Sequence, residues 1–167
     1  MANDKKKPKY LTPSSPEPTA GVFRFKIGDK PAGIYENLKT TPVFSFDKIS
    51  LNKSPLCYDH GTIDLESYHK LLSRLKHLST ITYDDMKKGG KAYRFHPVEL
   101  GDDNVSLTLK QFKKALTIKP ENMSDDQVPI LYQFDVFHKT RALGYLGYNG
   151  VFHLVWFDGD HEVYPGD

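Results

Sequence analysis

The most constraining stretch is the last third of the chain, where three alternating apolar runs follow one another almost without spacers. Ile130–His138 reads ILYQFDVFH, Arg141–Tyr148 reads RALGYLGY and Val151–Asp158 reads VFHLVWFD. Each is short and rich in aromatic and aliphatic residues, which marks a strand rather than a helix. Asn149-Gly150 separates the last two runs, and Asn-Gly is the strongest short hairpin signal because both positions tolerate positive φ. Parallel neighbours need a crossover of about a dozen residues, so strands this close together form an antiparallel meander.

A two-residue loop pairs Tyr148 with Val151, and the register then runs Leu146 with His153, Gly144 with Val155 and Arg141 with Asp158. If the Lys139-Thr140 turn holds an even number of residues, one face carries Tyr132, Phe134, Val136, Leu143, Tyr145, Phe152, Leu154 and Trp156. That face is apolar enough to bury. The other carries Gln133, Asp135, Leu146, Tyr148, His153, Val155 and Phe157, a mixed surface. Glu162–Tyr164 continues as a short terminal or edge segment.

The cover for the apolar face lies upstream. Leu65, Tyr68, Leu72, Leu75 and Leu78 recur at spacings of three and four, predicting a helix from about Asp64, its N-cap, to Leu78. A second helix is predicted at Tyr83–Lys88, with Thr82 and Asp85 as a capping box and Gly89 as its stop. A third is predicted at Ser106–Leu116, with Leu109, Phe112 and Leu116 on one side and Lys110, Lys113 and Lys114 on the other. Val22–Ile27 (VFRFKI) and Val43–Ile49 (VFSFDKI) alternate like short strands, with a turn at Asp29–Gly33 between them. The order of elements predicts an α+β domain: N-terminal strands, then a helical hairpin packed on a C-terminal antiparallel sheet. Residues 1–20 are rich in Pro, Ser and Lys and lack apolar periodicity, so they read as a disordered tail ahead of a single domain at 21–167.

Charge is informative only when resolved along the chain. The formal sum is +2 over 167 residues. Residues 70–119 hold eleven basic side chains against five acidic ones, whereas residues 120–167 hold two against eight. A basic middle and an acidic end form either a two-faced surface or segments that neutralise each other on folding. The lone Cys57 excludes an intrachain disulfide and a Cys-rich zinc site and fits a reducing cytoplasm. No apolar run reaches about 18 residues, so no membrane span is expected, and the basic N-terminus lacks the apolar stretch of a secretory leader.

The element order over about 43–164, together with the ending FHLVWFDGDHEVYP, resembles the RelE/ParE superfamily of small bacterial toxins and uncharacterised proteins of bacteria and mobile elements. The resemblance implies a toxin of a toxin–antitoxin or phage conflict module, acting on RNA or on the ribosome, with an antitoxin-like protein covering its basic surface. It also implies the chemistry of a metal-independent endoribonuclease, which needs groups that activate a 2′-hydroxyl, stabilise a charged phosphorane and protonate the leaving oxygen. The residue types that match are His138, Arg141, His153, His161 and Tyr164: Arg141 to hold the phosphate, His153 or His161 as acid and base, Tyr164 to stack on a base.

Simpler roles stand beside these. Arg141 opposite Asp158 reads equally as a structural pair, His153 as a sheet histidine and Tyr164 as a core aromatic. Lys70, Arg74, Lys87, Lys88, Lys110, Lys113, Lys114 and Lys139 could track a nucleic-acid backbone or serve as solvated helix faces. That leaves a non-enzymatic binding module as the alternative function. Asp158-Gly159-Asp160 with His153 and His161 offers metal-ligand types but is also an ordinary polar turn. No metal or other cofactor is expected, and no glycine-rich nucleotide loop is present.

Overall fold

The computed structural model describes residues 38–51, 56–59, 61, 63–116, 119–147 and 150–165. The strand and turn expected between residues 22 and 33, and the tail at 1–20, lie outside them. The elements are β1 (Val43–Ser45), α1 (Leu65–Leu78), α2 (Tyr83–Lys88), β2 (His96–Pro97), α3 (Leu109–Leu116), β3 (Leu131–Phe137), β4 (Thr140–Leu146) and β5 (Val151–Asp158). They build a five-stranded mixed sheet in the order β1-β5-β4-β3-β2. The β2-β3-β4-β5 part is antiparallel, and β1 lies parallel to β5, pairing Val43 with Val151. The protein is α+β, with an N-terminal strand, a helical hairpin and a C-terminal meander.

Both early helices begin where their caps require. Asp64 accepts the Ser67 N–H at 2.8 Å and opens α1. The Ser67 hydrogen bonds hold the Asp64 carboxyl below the usual carboxylate range. Thr82 and Asp85 form the capping box of α2, and Glu66 and Lys70 pair one turn apart at 2.6 Å. The buried row of α1 is Leu71, Leu75 and Leu78, whereas Leu65 and Leu72 are 73% and 59% exposed. The buried stripe shares Leu75 and Leu78 with the expected one, runs through Leu71 in place of Leu72, and leaves Leu65 and Leu72 in solvent. α1 and α2 close one core over Phe134, Ala142, Phe152, Leu154 and Phe157.

The opposite face is also covered, which corrects the expectation of a mixed surface. Phe112 from α3 is fully buried and packs on Trp156 (ring centroids 5.7 Å) and Tyr145 (6.4 Å). Val98, Leu107, Leu131, Leu143, Val155 and Val163 complete this second core. Leu143, Tyr145 and Trp156 therefore face α3 rather than the hairpin. Two irregularities explain the change. The Gly147 N–H donates to the Val151 carbonyl at 2.7 Å, so the hairpin loop spans three residues, with Gly150 at φ 79° supplying its left-handed position. Tyr145 then pairs with His153, one residue away from the expected register. A bulge at Val155 restores the pairing of Arg141 with Asp158 and turns both Val155 and Trp156 toward α3. A second bulge, at Val136, precedes the His138-Lys139 turn.

Gly144 sits opposite the Val155 bulge, where a Cβ would lie 2.2 Å from the His153 carbonyl oxygen and 2.6 Å from the Phe152 ring. Gly144→Ala is therefore expected to destabilise the protein by about 1–3 kcal/mol in urea unfolding, with Gly61→Ala, which meets nothing within 4 Å, close to neutral.

Candidate functional site

Arg141 leaves the middle strand at its first turn and is buried at 2% exposure. Its Nη1 donates to Asp135 Oδ1 at 3.0 Å and to the carbonyls of His138 and Thr140, both at 2.9 Å. The other oxygen of the same carboxylate, Asp135 Oδ2, accepts from Arg74 Nη2 at 3.1 Å. Arg74 reaches round the sheet edge from α1 and also donates to the carbonyls of Asp135 (2.8 Å) and Ala92 (2.5 Å). Two guanidinium groups thus share one carboxylate, leaving a local excess of one positive charge. Each carboxylate oxygen takes a charge-assisted hydrogen bond, the strong kind that arginine forms.

Asp158 is fully buried and has a different task. Its two oxygens accept the backbone N–H groups of Glu162 (2.7 Å) and Val163 (3.0 Å). Those bonds turn the chain back after β5 and set His161 against the β3–β4 turn. The strand-like continuation expected at Glu162–Tyr164 is instead this anchored turn.

The result is a cavity of about 340 Å³ whose lining, among the described residues, is Arg94, His138, Lys139, Arg141 and His161, with no carboxylate among them. Arg94, His138 and His161 are also the only non-glycine residues with positive φ among the described residues, at 46°, 46° and 63°. Such conformations cost about 1–3 kcal/mol each and gather where surrounding structure or function demands them. The Nδ1 atom of His161 is buried without a hydrogen-bond partner among the described residues.

Four residues singled out from the sequence therefore come together: His138, Lys139, Arg141 and His161. Tyr164 stands beside them, its ring 6.4 Å from both His161 and His96, while packing half-buried on the second core. His153 is not brought to the cavity. It lies toward the opposite end of β5, stacked on Tyr145 at 4.7 Å with its Nδ1 2.8 Å from Asp47. The Ser45 hydroxyl first, and His153 next, hold the Asp47 carboxyl below its ordinary range. Arg94 reads from sequence only as one charge in a basic stretch. It reaches the cavity because the Tyr93 carbonyl accepts the Asp135 N–H at 2.7 Å, laying that irregular stretch along β3.

The other basic candidates divide. Lys113 pairs with Asp125 at 2.5 Å and donates to the Met123 carbonyl, so the acidic connector neutralises part of α3. Lys70 pairs with Glu66 and lies 4.5 Å over the Phe137 ring. Lys87, Lys88, Lys110 and Lys114 lie on the surfaces of α2 and α3, away from the cavity. Among the described residues no group of three or more His, Cys, Asp or Glu side chains could hold a metal ion, and no helix is long and apolar enough to cross a membrane.

Comparison with protein-family models, curated proteins and solved structures finds no match to this chain.

Removing the shared carboxylate strands two arginines. Asp135→Ala is expected to destabilise by about 1–3 kcal/mol, below the range for a fully buried pair because a fifth of the Asp135 side chain is exposed. In a double-mutant cycle with Arg141→Met the two losses should be markedly less than additive.

Proposed function

We propose that the protein acts on RNA, with the cavity at the β3–β4 turn gripping a backbone phosphate, as a toxin-like component of a bacterial or phage conflict module. The observation that carries this reading is the lining: two imidazoles, two guanidinium groups and an ammonium converge on one concave site with no carboxylate among the described residues of its wall. That set suits a phosphodiester anion and contains the groups for metal-independent cleavage.

In the proposed reaction the RNA 2′-oxygen forms a bond to phosphorus while the bond to the 5′-oxygen breaks, giving a 2′,3′-cyclic phosphate and a free 5′-hydroxyl. His161, in the cavity wall, accepts the 2′-hydroxyl proton. His138, exposed on the turn, delivers a proton to the departing 5′-oxygen. Arg94, Lys139 and Arg141 balance the charge that builds on the phosphorane. The ribosome would present such a substrate, and an antitoxin-like protein would act by covering the cavity. A second reading, a non-enzymatic nucleic-acid- or protein-binding module, is favoured by Lys87, Lys88, Lys110 and Lys114, which lie outside the cavity and would add phosphate contacts without chemistry.

Incubation with RNA, with and without ribosomes, decides between them. The proposal expects cleavage that persists in EDTA and leaves 2′,3′-cyclic phosphate ends, with His138→Ala slowing it by about 10²–10⁴-fold. Binding without cleavage would favour the module, and neither binding nor cleavage would overturn both.

A further inference from the structure

A second concavity lies on the other side of the same turn. It is a groove of about 390 Å³ along α1, lined by Glu66, His69, Lys70, Ser73, Arg74, His77 and Val136, with the Glu66 carboxylate paired to Lys70 at 2.6 Å. We infer that this groove is a second nucleotide subsite, continuous with the cavity, so that the ligand is a single-stranded polyribonucleotide wrapped round the β3–β4 turn rather than a mononucleotide. The inference rests on the reading of the cavity as a phosphate site.

Three observations support the continuity. Arg74 walls the groove and Arg141 walls the cavity, and they hold the two oxygens of the same Asp135 carboxylate at 3.1 and 3.0 Å. The two sites are therefore separated by the width of one neutralised carboxylate. Val136 lines the groove and His138 the cavity, with only Phe137 between them, because the Val136 bulge and the left-handed His138 turn the chain sharply. Lys70 sits over that intervening Phe137 ring, which places a cation at the crossing point. An ammonium has three donors and Glu66 takes one, so Lys70 retains capacity for a phosphate.

The groove also offers a surface for a base. His77 stacks on Tyr93 with centroids 6.0 Å apart and planes 20° from parallel, and planar side chains beside a basic track bind single strands with little sequence preference. A duplex is too stiff to follow so tight a bend.

Fluorescence anisotropy with labelled oligouridylates, a dinucleotide and a dodecanucleotide, tests this. Ser73→Glu places a carboxylate in the groove at an exposed helix position, and Lys139→Glu does so in the cavity. Circular dichroism and thermal melting check that each variant is folded. Lys139→Glu should weaken both ligands. Ser73→Glu should weaken the dodecanucleotide by about tenfold and leave the dinucleotide unchanged. It should also reduce the salt slope of dodecanucleotide binding by about 0.7 for each phosphate that the groove no longer neutralises. A dodecanucleotide indifferent to Ser73→Glu while Lys139→Glu weakens both would overturn the second subsite and leave the cavity reading standing. Binding indifferent to Lys139→Glu at either length would overturn the cavity reading and this inference together.

Discussion

The carboxylate of Asp135 is the point on which the architecture of the site depends. It sits on β3 and is held from one side by Arg141 of β4 and from the other by Arg74 of α1. Helix, central strands and the irregular stretch before β2 are thereby locked to one another at one end of the sheet. Burying charge is costly unless each ion is paired and hydrogen-bonded, and here the Ala92 and Asp135 carbonyls accept from Arg74 while the His138 and Thr140 carbonyls share Arg141 Nη1 with the Asp135 carboxylate. One negative charge is set against two positive ones, so the cavity beside it stays basic although the surrounding segment of the chain is acidic. That is how an acidic sheet can present a cavity lined by cationic side chains.

A second carboxylate, Asp158, works on the backbone instead. By capping the N–H groups of Glu162 and Val163 it fixes the turn that carries His161. The acidic excess of the last third is thus structural in part: Asp135 orients arginines, Asp158 shapes a turn and Asp125 engages Lys113. Mutual neutralisation accounts for part of the opposed charges along the sequence, and the lysines of α2 with Lys110 and Lys114 of α3 remain as a solvent-facing basic surface.

How far the sequence can be read depends on the range of each signal. α1 and α2 are legible because their caps and periodicity are local, and Asp64 and Thr82 act where they stand. The three long strands are legible because their alternation is local too. Their faces are not, because two non-local irregularities intervene. The run Leu154-Val155-Trp156-Phe157 offers four apolar side chains in succession, so alternation gives no hint of which one bulges, and only packing against Phe112 decides it. The clustering of His138, Lys139 and Arg141 follows from their adjacency in the chain. The approach of Arg94 does not, since it depends on a pairing between Tyr93 and Asp135 that no spacing encodes, whereas His69, Lys70, Arg74 and His77 share one face of α1 by helical spacing alone. His153 pairs with Tyr145 instead of Leu146, but its separation from the cavity follows from its place near the opposite end of β5 from Asp158, where it meets Tyr145 and Asp47.

The proposal that the wall formed by His138, Lys139, Arg141, Arg94 and His161 receives a phosphate is tested by histidine side-chain nuclear magnetic resonance. Imidazole nitrogen signals are followed while uridine 3′-monophosphate is added at constant pH. Saturable shifts at His138 and His161, with His153 beside Asp47 unmoved, are the predicted result. Signals of His138 and His161 that stay still, or that move no more than that of His153, would contradict it.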